Sequence, residues 1–252
     1  MDPFDYPVLI LVASFFIFWA AASIGGSIRR RRPEVGEDYH EEFMFVLGGT
    51  LTLLGLIIGF TFSMAVSRYD QRKNYEEQEA NAIGTEYVRA DILPTEDAAK
   101  VRALLKAYLN QRIVEYSARG NRRILELGTQ TEKLQAELWS AVAKPASANP
   151  TSVNALLLWG MNDVLNSQGY TQAAWWNRIP PAAWALVALI SIFCNLLIGY
   201  GAHGKRAFLF LILPVALAIS LFLIADIDSP RGGLIRVHPQ NLESLAESLP
   251  SQ

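Results

Sequence analysis

Four long apolar stretches of this chain contain no Asp, Glu, Lys, Arg or His: Pro7–Ile28, Phe43–Ser67, Ile179–Ala202 and Ala207–Ala225. Each approaches or exceeds the ~20 residues that a helix needs to cross a bilayer. Two other uncharged stretches, around Pro145–Asn162 and Val164–Asn177, are full of Ser, Asn, Gln and Pro and are not spans. The sequence overall is 51% apolar and only 18% charged, whereas an ordinary soluble domain carries roughly a quarter charged residues. Such a pattern all but excludes a soluble globular enzyme. A net charge of −2, from 22 basic and 24 acidic residues, leaves no basic excess to neutralise nucleic-acid phosphates. The expected class is an all-α polytopic membrane protein with the lipid bilayer as its first partner. Met1–Pro7 holds two Asp and no Lys or Arg, so the first window reads as a retained span and not a cleaved signal.

The spans fall into two pairs. The first, within residues 1–67, is joined by a polar loop opening with Arg29–Arg30–Arg31–Arg32; the second, within 179–225, is closed by His203–Gly204–Lys205–Arg206 as an antiparallel hairpin. Tyr6, Trp19, Trp175, Trp176 and Trp184 are placed to anchor at headgroup depth. Pro180–Pro181 suits a helix start, and Pro214 predicts a kink in the last span. Cys194 lies inside the third window and reads as an apolar filler.

Between the pairs, Val66–Arg178 carries 14 basic and 13 acidic residues, so residues 68–178 form a water-exposed domain. No proline interrupts Val66–Leu93, and the second span should run on as one long helix. Leu93–Pro94–Thr95 ends it, with Thr95 as N-cap of the next. Three further helical stripes follow: Val101, Leu104, Leu105, Tyr108, Leu109 and Ile113; then Leu127, Thr131, Leu134, Leu138 and Val142 after a turn at Gly120–Asn121; then Val153 to Leu165. Lys144–Pro150 reads as a loop. Residues 226–252 form a tail with a short helix around Leu242–Leu249.

The second span is two-sided. One face collects Gly48, Gly49, Thr52, Gly55, Leu56, Gly59, Phe60, Ser63 and Ser67, and the other Leu47, Leu51, Leu54, Ile57, Ile58, Phe62 and Ala65. Gly55 and Gly59 are a small-xxx-small pair, which on composition alone favours tight packing against a neighbouring span. The alternative is a narrow pore lined by Thr52, Leu56, Phe60 and Ser63, with Leu56 and Phe60 as an apolar constriction. Arg68 and Arg72 at its end would either anchor at headgroups or form an ion-attracting mouth. Arg72/Glu76 and Glu86/Arg89 have helical pair spacing, worth only ~0.2–0.5 kcal/mol when exposed. Asn195 within the third span should face protein, water or a pathway. Asp226 and Asp228 could hold a hard cation, though a solvated turn or helix-end anchor fits their spacing better. His40, His203 and His238 are scattered. No catalytic triad, phosphate-cradling loop or metal set stands out, so no cofactor is expected and an enzyme is disfavoured.

Several blocks together resemble the bacterial bestrophin-like family: Arg68-Tyr69-Asp70-Gln71-Arg72, Glu79-Ala80-Asn81-Ala82-Ile83-Gly84, Arg89 with Leu93-Pro94, Tyr108 with Arg112, and Asp226-Ile227-Asp228-Ser229-Pro230 with Gly233. Gly59-Phe60, followed by Arg68-Tyr69, is similar to the pore-helix pattern of true bestrophins, with Tyr69 where those have tryptophan. The resemblance implies a homo-oligomeric, pentameric anion channel with four spans per subunit, its partners being copies of itself and inorganic anions. By position, Thr52, Leu56 and Phe60 would form the neck. Asp226 and Asp228 fall near the acidic segment that binds calcium in animal bestrophins, where the acidic run is much longer. The competing reading is a non-conducting membrane scaffold or sensor whose helical domain binds a partner.

Topology, in a bacterial inner membrane, rests on two opposed counts. Arg29–Arg32 with Lys205 and Arg206 favours a cytoplasmic first loop; Arg68, Arg72, Lys73, Arg178, Arg231 and Arg236 lie near the opposite ends. The family resemblance places both termini and the domain in the cytoplasm. The four-arginine cluster tips the expectation toward a periplasmic domain.

Overall fold

The computed structural model describes residues 6–31, 37–118, 120–201 and 209–250, and among these it is helical without strands. In chain order the helices are α1 (Pro7–Arg31), α2 (Glu37–Arg89), α3 (Thr95–Ser117), α4 (Asn121–Ala148), α5 (Ser152–Trp176), α6 (Pro181–Gly201), α7 (Leu209–Asp228) and α8 (Gln240–Ser248). Four of them are long and apolar enough to span a membrane. Arg32, the His203–Arg206 hairpin loop and the charges of the N-terminal Met1–Asp5 segment lie outside the described residues.

The chain divides into two compact units, Met1–Tyr69 with Arg178–Arg236, and Asp70–Asn177 with Val237–Gln252. The tail is therefore shared: its first part belongs to the membrane unit and its last part, with α8, to the helical domain. In the membrane unit Phe18, Leu54, Ala65, Val187, Cys194, Leu217, Leu221 and Ile224 form the core. Helices α1 and α6 cross where glycines remove the side chains between them. A Cβ at Gly25 would collide with the Leu196 carbonyl, and one at Gly199 with the Ala22 carbonyl. Here, and not at Gly55 and Gly59, small residues bring two spans of one chain together. Trp184 is buried in this unit and is not a surface anchor, while Tyr6, Trp19 and Trp176 are exposed.

The helical domain is built around Ile83, Val101, Leu105, Tyr108, Leu109, Leu138, Val142, Leu157, Met161 and Leu242. Three local expectations change. Thr95 is the first residue of α3, with Pro94 at the cap position and no side-chain cap bond. Residues 144–148 are helix, not loop, because burial of Ala141 and Ala146 carries α4 past Pro145. The chain then turns, and Thr151 caps α5 by accepting from the Asn154 amide at 3.1 Å. Trp175 is buried in the domain, edge-on to Tyr116 at 5.2 Å, and so serves its core instead of a headgroup belt. Gly120, at φ 83°, supplies the left-handed residue that the α3–α4 turn requires.

Candidate functional site

Helix α2 buries one stripe of its apolar half in the membrane unit: Leu54, Thr61 and Ala65 are buried and Ile58 half-buried. Thr52, Leu56 and Ser63 lie about 180° from that stripe at 3.6 residues per turn. Leu56 is 54% and Phe60 64% exposed, against 2% for Leu54. A Cβ at Gly48, Gly49, Gly55 or Gly59 would meet no other part of the chain within 4 Å. Within one subunit, then, this face is not a packing surface. The Thr52 hydroxyl donates to the Gly48 carbonyl at 2.9 Å, which satisfies its hydrogen and leaves oxygen lone pairs on the open side. Thr61, on the buried side, donates to Ile57 in the same way.

The two basic mouth candidates separate. Arg68 is half-buried at the end of the membrane unit's part of α2. Arg72 is 3% exposed, in the helical domain, and Glu76 is 1% exposed, so neither belongs to an exposed ion pair or an open mouth. Glu76 instead caps α8: its carboxylate accepts from the Asn241 amide at 2.9 Å, the Leu242 amide at 3.0 Å and the Asn241 side chain at 2.6 Å. Burial raises its pKa in spite of those donors.

Glu79 and Arg112 are both fully buried and form the polar centre of the helical domain. Arg112 donates through Nε and Nη2 to Glu79 and through Nη1 to Glu115 on its own helix. Tyr116 and Thr171 donate to Glu79 at 3.3 and 3.2 Å, and Thr131 donates to Glu115 at 3.2 Å. Burial on its own would lower the Arg112 pKa, but the Glu79 carboxylate outweighs it and holds the guanidinium firmly charged. Burial likewise pushes the Tyr108 and Tyr116 phenols up. The Arg112–Glu115 spacing was visible in the sequence. Its union with Glu79, 33 residues earlier, was not: the sequence offered the two residues only in separate motif blocks.

Asn81 and Arg89 line a cleft of about 390 Å³ in the helical domain. Asp226 and Asp228 are buried and spend their oxygens on backbone. Asp226 accepts from Leu234 and Ile235 at 2.7 and 2.8 Å, closing the loop that contains Pro230; Asp228 accepts from Ile179 at 3.2 Å. A Cβ at Gly233 would strike the Asp226 carbonyl, which accounts for a glycine at the end of that motif. The two aspartates thus fasten the entry of α6 and the exit of α7 and do not form an open cation site. Among the described residues no group of three or more His, Cys, Asp or Glu is arranged to hold a metal.

The profile of the Bestrophin-like domain matches residues 9–242. Among solved structures, the bacterial bestrophin homolog from Klebsiella pneumoniae superposes with a TM-score of 0.63 at 15% identity, covering 96% of this chain and 99% of that one. A point mutant of the Klebsiella pneumoniae homolog gives a TM-score of 0.64 at 13% identity, covering 96% of each chain. No curated protein sequence matches. At these identities the structures establish a shared fold, and the domain profile, spanning nearly the whole chain, establishes kinship: this chain belongs to the Bestrophin-like family.

Proposed function

We propose that the chain is one subunit of a homo-oligomeric, anion-permeable channel whose α2 helices line the pore. The supporting observation is the open face of α2. Thr52, Leu56 and Ser63 lie opposite the helix's buried stripe, and exposed Phe60 and four glycines with empty space above them flank that line. Around a symmetry axis, the glycines let adjacent α2 helices approach while Thr52, Leu56, Phe60 and Ser63 turn inward. The apolar ring gates by dewetting, and Arg68 concentrates anions at the mouth. Arg72, being buried, does not join it. A ring of five is the count that the family likeness suggests.

Chloride efflux from liposomes containing the purified protein tests this reading. L56A/F60A should raise efflux, whereas L54A/I58A, on the packed side, should mainly lower stability. If neither the parent nor L56A/F60A passes chloride, the non-conducting scaffold takes its place. The sidedness is proposed from the arginine cluster: a cysteine at exposed Ser117, with Cys194 replaced, should react with an impermeant thiol reagent in intact cells. Protection of Ser117→Cys would put the helical domain in the cytoplasm.

A further inference from the structure

A second polar centre of the helical domain takes no part in the proposed pore. The cleft of about 390 Å³ lies between α2 and α5, with Asn81 and Arg89 from α2 and Gly160, Asp163, Asn166 and Ser167 from α5 on its walls. Beneath it lies Glu86, whose side chain is 0% exposed and whose two oxygens receive no hydrogen bond. Its counter-charge is Arg89, at 3.8 Å. Gly160 leaves room for both groups, since a Cβ there would collide with the Glu86 carboxylate and the Arg89 guanidinium. Arg89 is more than a third exposed and lines the cleft. Asp163 stands exposed on the opposite wall.

A buried carboxylate without hydrogen bonds is a costly arrangement that persists where another state relieves it. Two charges of opposite sign, on facing walls lined elsewhere mainly by amides and hydroxyls, match a ligand carrying both signs. We propose that this cleft binds a small zwitterion of the α-amino-acid class, its carboxylate on Arg89 and its ammonium on Asp163, and that binding draws a proton onto Glu86. The linkage follows from the charges facing Glu86. Burial has already pushed its pKa up to about 7, with Arg89 on its own helix pulling it down and Asp163 from α5 adding to the rise. A ligand carboxylate that takes the Arg89 guanidinium removes the pull, while the ammonium on Asp163 removes only the smaller rise, so Glu86 becomes protonated and the proton comes from solvent. Affinity therefore increases as pH falls through 7.

Calorimetric titration of the full chain in detergent with L-serine, and with acetate as a carboxylate lacking the ammonium, tests the site independently of ion flux. L-serine should bind about fivefold more tightly at pH 6 than at pH 8, as expected if binding raises the Glu86 pKa by about one unit. E86Q should bind with no pH dependence in that range, and R89Q should lose binding by tenfold or more. D163N should abolish the preference for serine over acetate. No heat with serine at millimolar concentration, unchanged binding by R89Q, pH dependence retained in E86Q, or acetate binding the parent as tightly as serine would each overturn the proposal.

Discussion

Replacing Arg112 by Met asks how much of the helical domain's stability depends on one buried cation. Arg112 is enclosed by two carboxylates, Glu79 and Glu115, whose side chains are 0% and 3% exposed. Its guanidinium also lies 5.8 and 5.9 Å from the Tyr116 and Trp175 rings. Met fills much of the volume but leaves two like charges in the core with no counterion. Breaking a buried pair in this way costs about 3–5 kcal/mol. The two acids can respond only by binding protons, so their folded-state pKa values should rise above the unfolded ones. The R112M variant should consequently lose further stability as pH rises from about 5 to 8. Circular-dichroism melting of the full chain in detergent reads both effects. The triple variant R112M/E79Q/E115Q, which buries no charge, should recover most of the loss and be flat in pH. Melting of R112M at the parental temperature at pH 8, or a triple variant no better than R112M, would refute the argument.

Three further outcomes follow from single contacts. Glu86→Gln should stabilise the domain near pH 8: the folded pKa of about 7 lies above the unfolded 4.5, so the native state holds the extra proton, and the parent loses up to about 3 kcal/mol as pH rises through that window, a slope that melting of E86Q should lack. Glu76→Ala should free the N-terminus of α8, costing about 1–3 kcal/mol for the orphaned amides, with faster hydrogen exchange at Asn241 and Leu242 as the readout. Gly199→Leu should force α1 and α6 apart, costing about 1–3 kcal/mol, as melting of the purified protein would show.

The membrane architecture was legible because charge is excluded from lipid; the four uncharged windows map onto α1, α2, α6 and α7. The long α2 was legible from the absence of proline before Pro94. So was its two-sidedness, although whether the glycine face packed or stood open depended on which neighbours α1, α6 and α7 supplied. What stayed hidden was pairing at a distance. Gly25 and Gly199 are ordinary span residues until the helices cross, and Arg72 and Glu76 read as an exposed pair until α8 folds over Glu76. Trp175 shows the same limit. Its place beside a charge-free window suggested a headgroup anchor, and only the Tyr116 and Arg112 side chains around it reveal a core residue.

Whether α2 lines an ion pathway is answered most directly by modifying it from water while ions flow. In a background with Cys194 replaced, single cysteines at Thr52 and Ser63 would be treated with a charged thiol reagent during chloride efflux from liposomes. Leu186, exposed on α6, would carry the control cysteine. The pore account predicts that modification at Thr52→Cys and Ser63→Cys changes efflux severalfold while Leu186→Cys does not. Equal insensitivity at all three positions, in a protein that conducts, would contradict it.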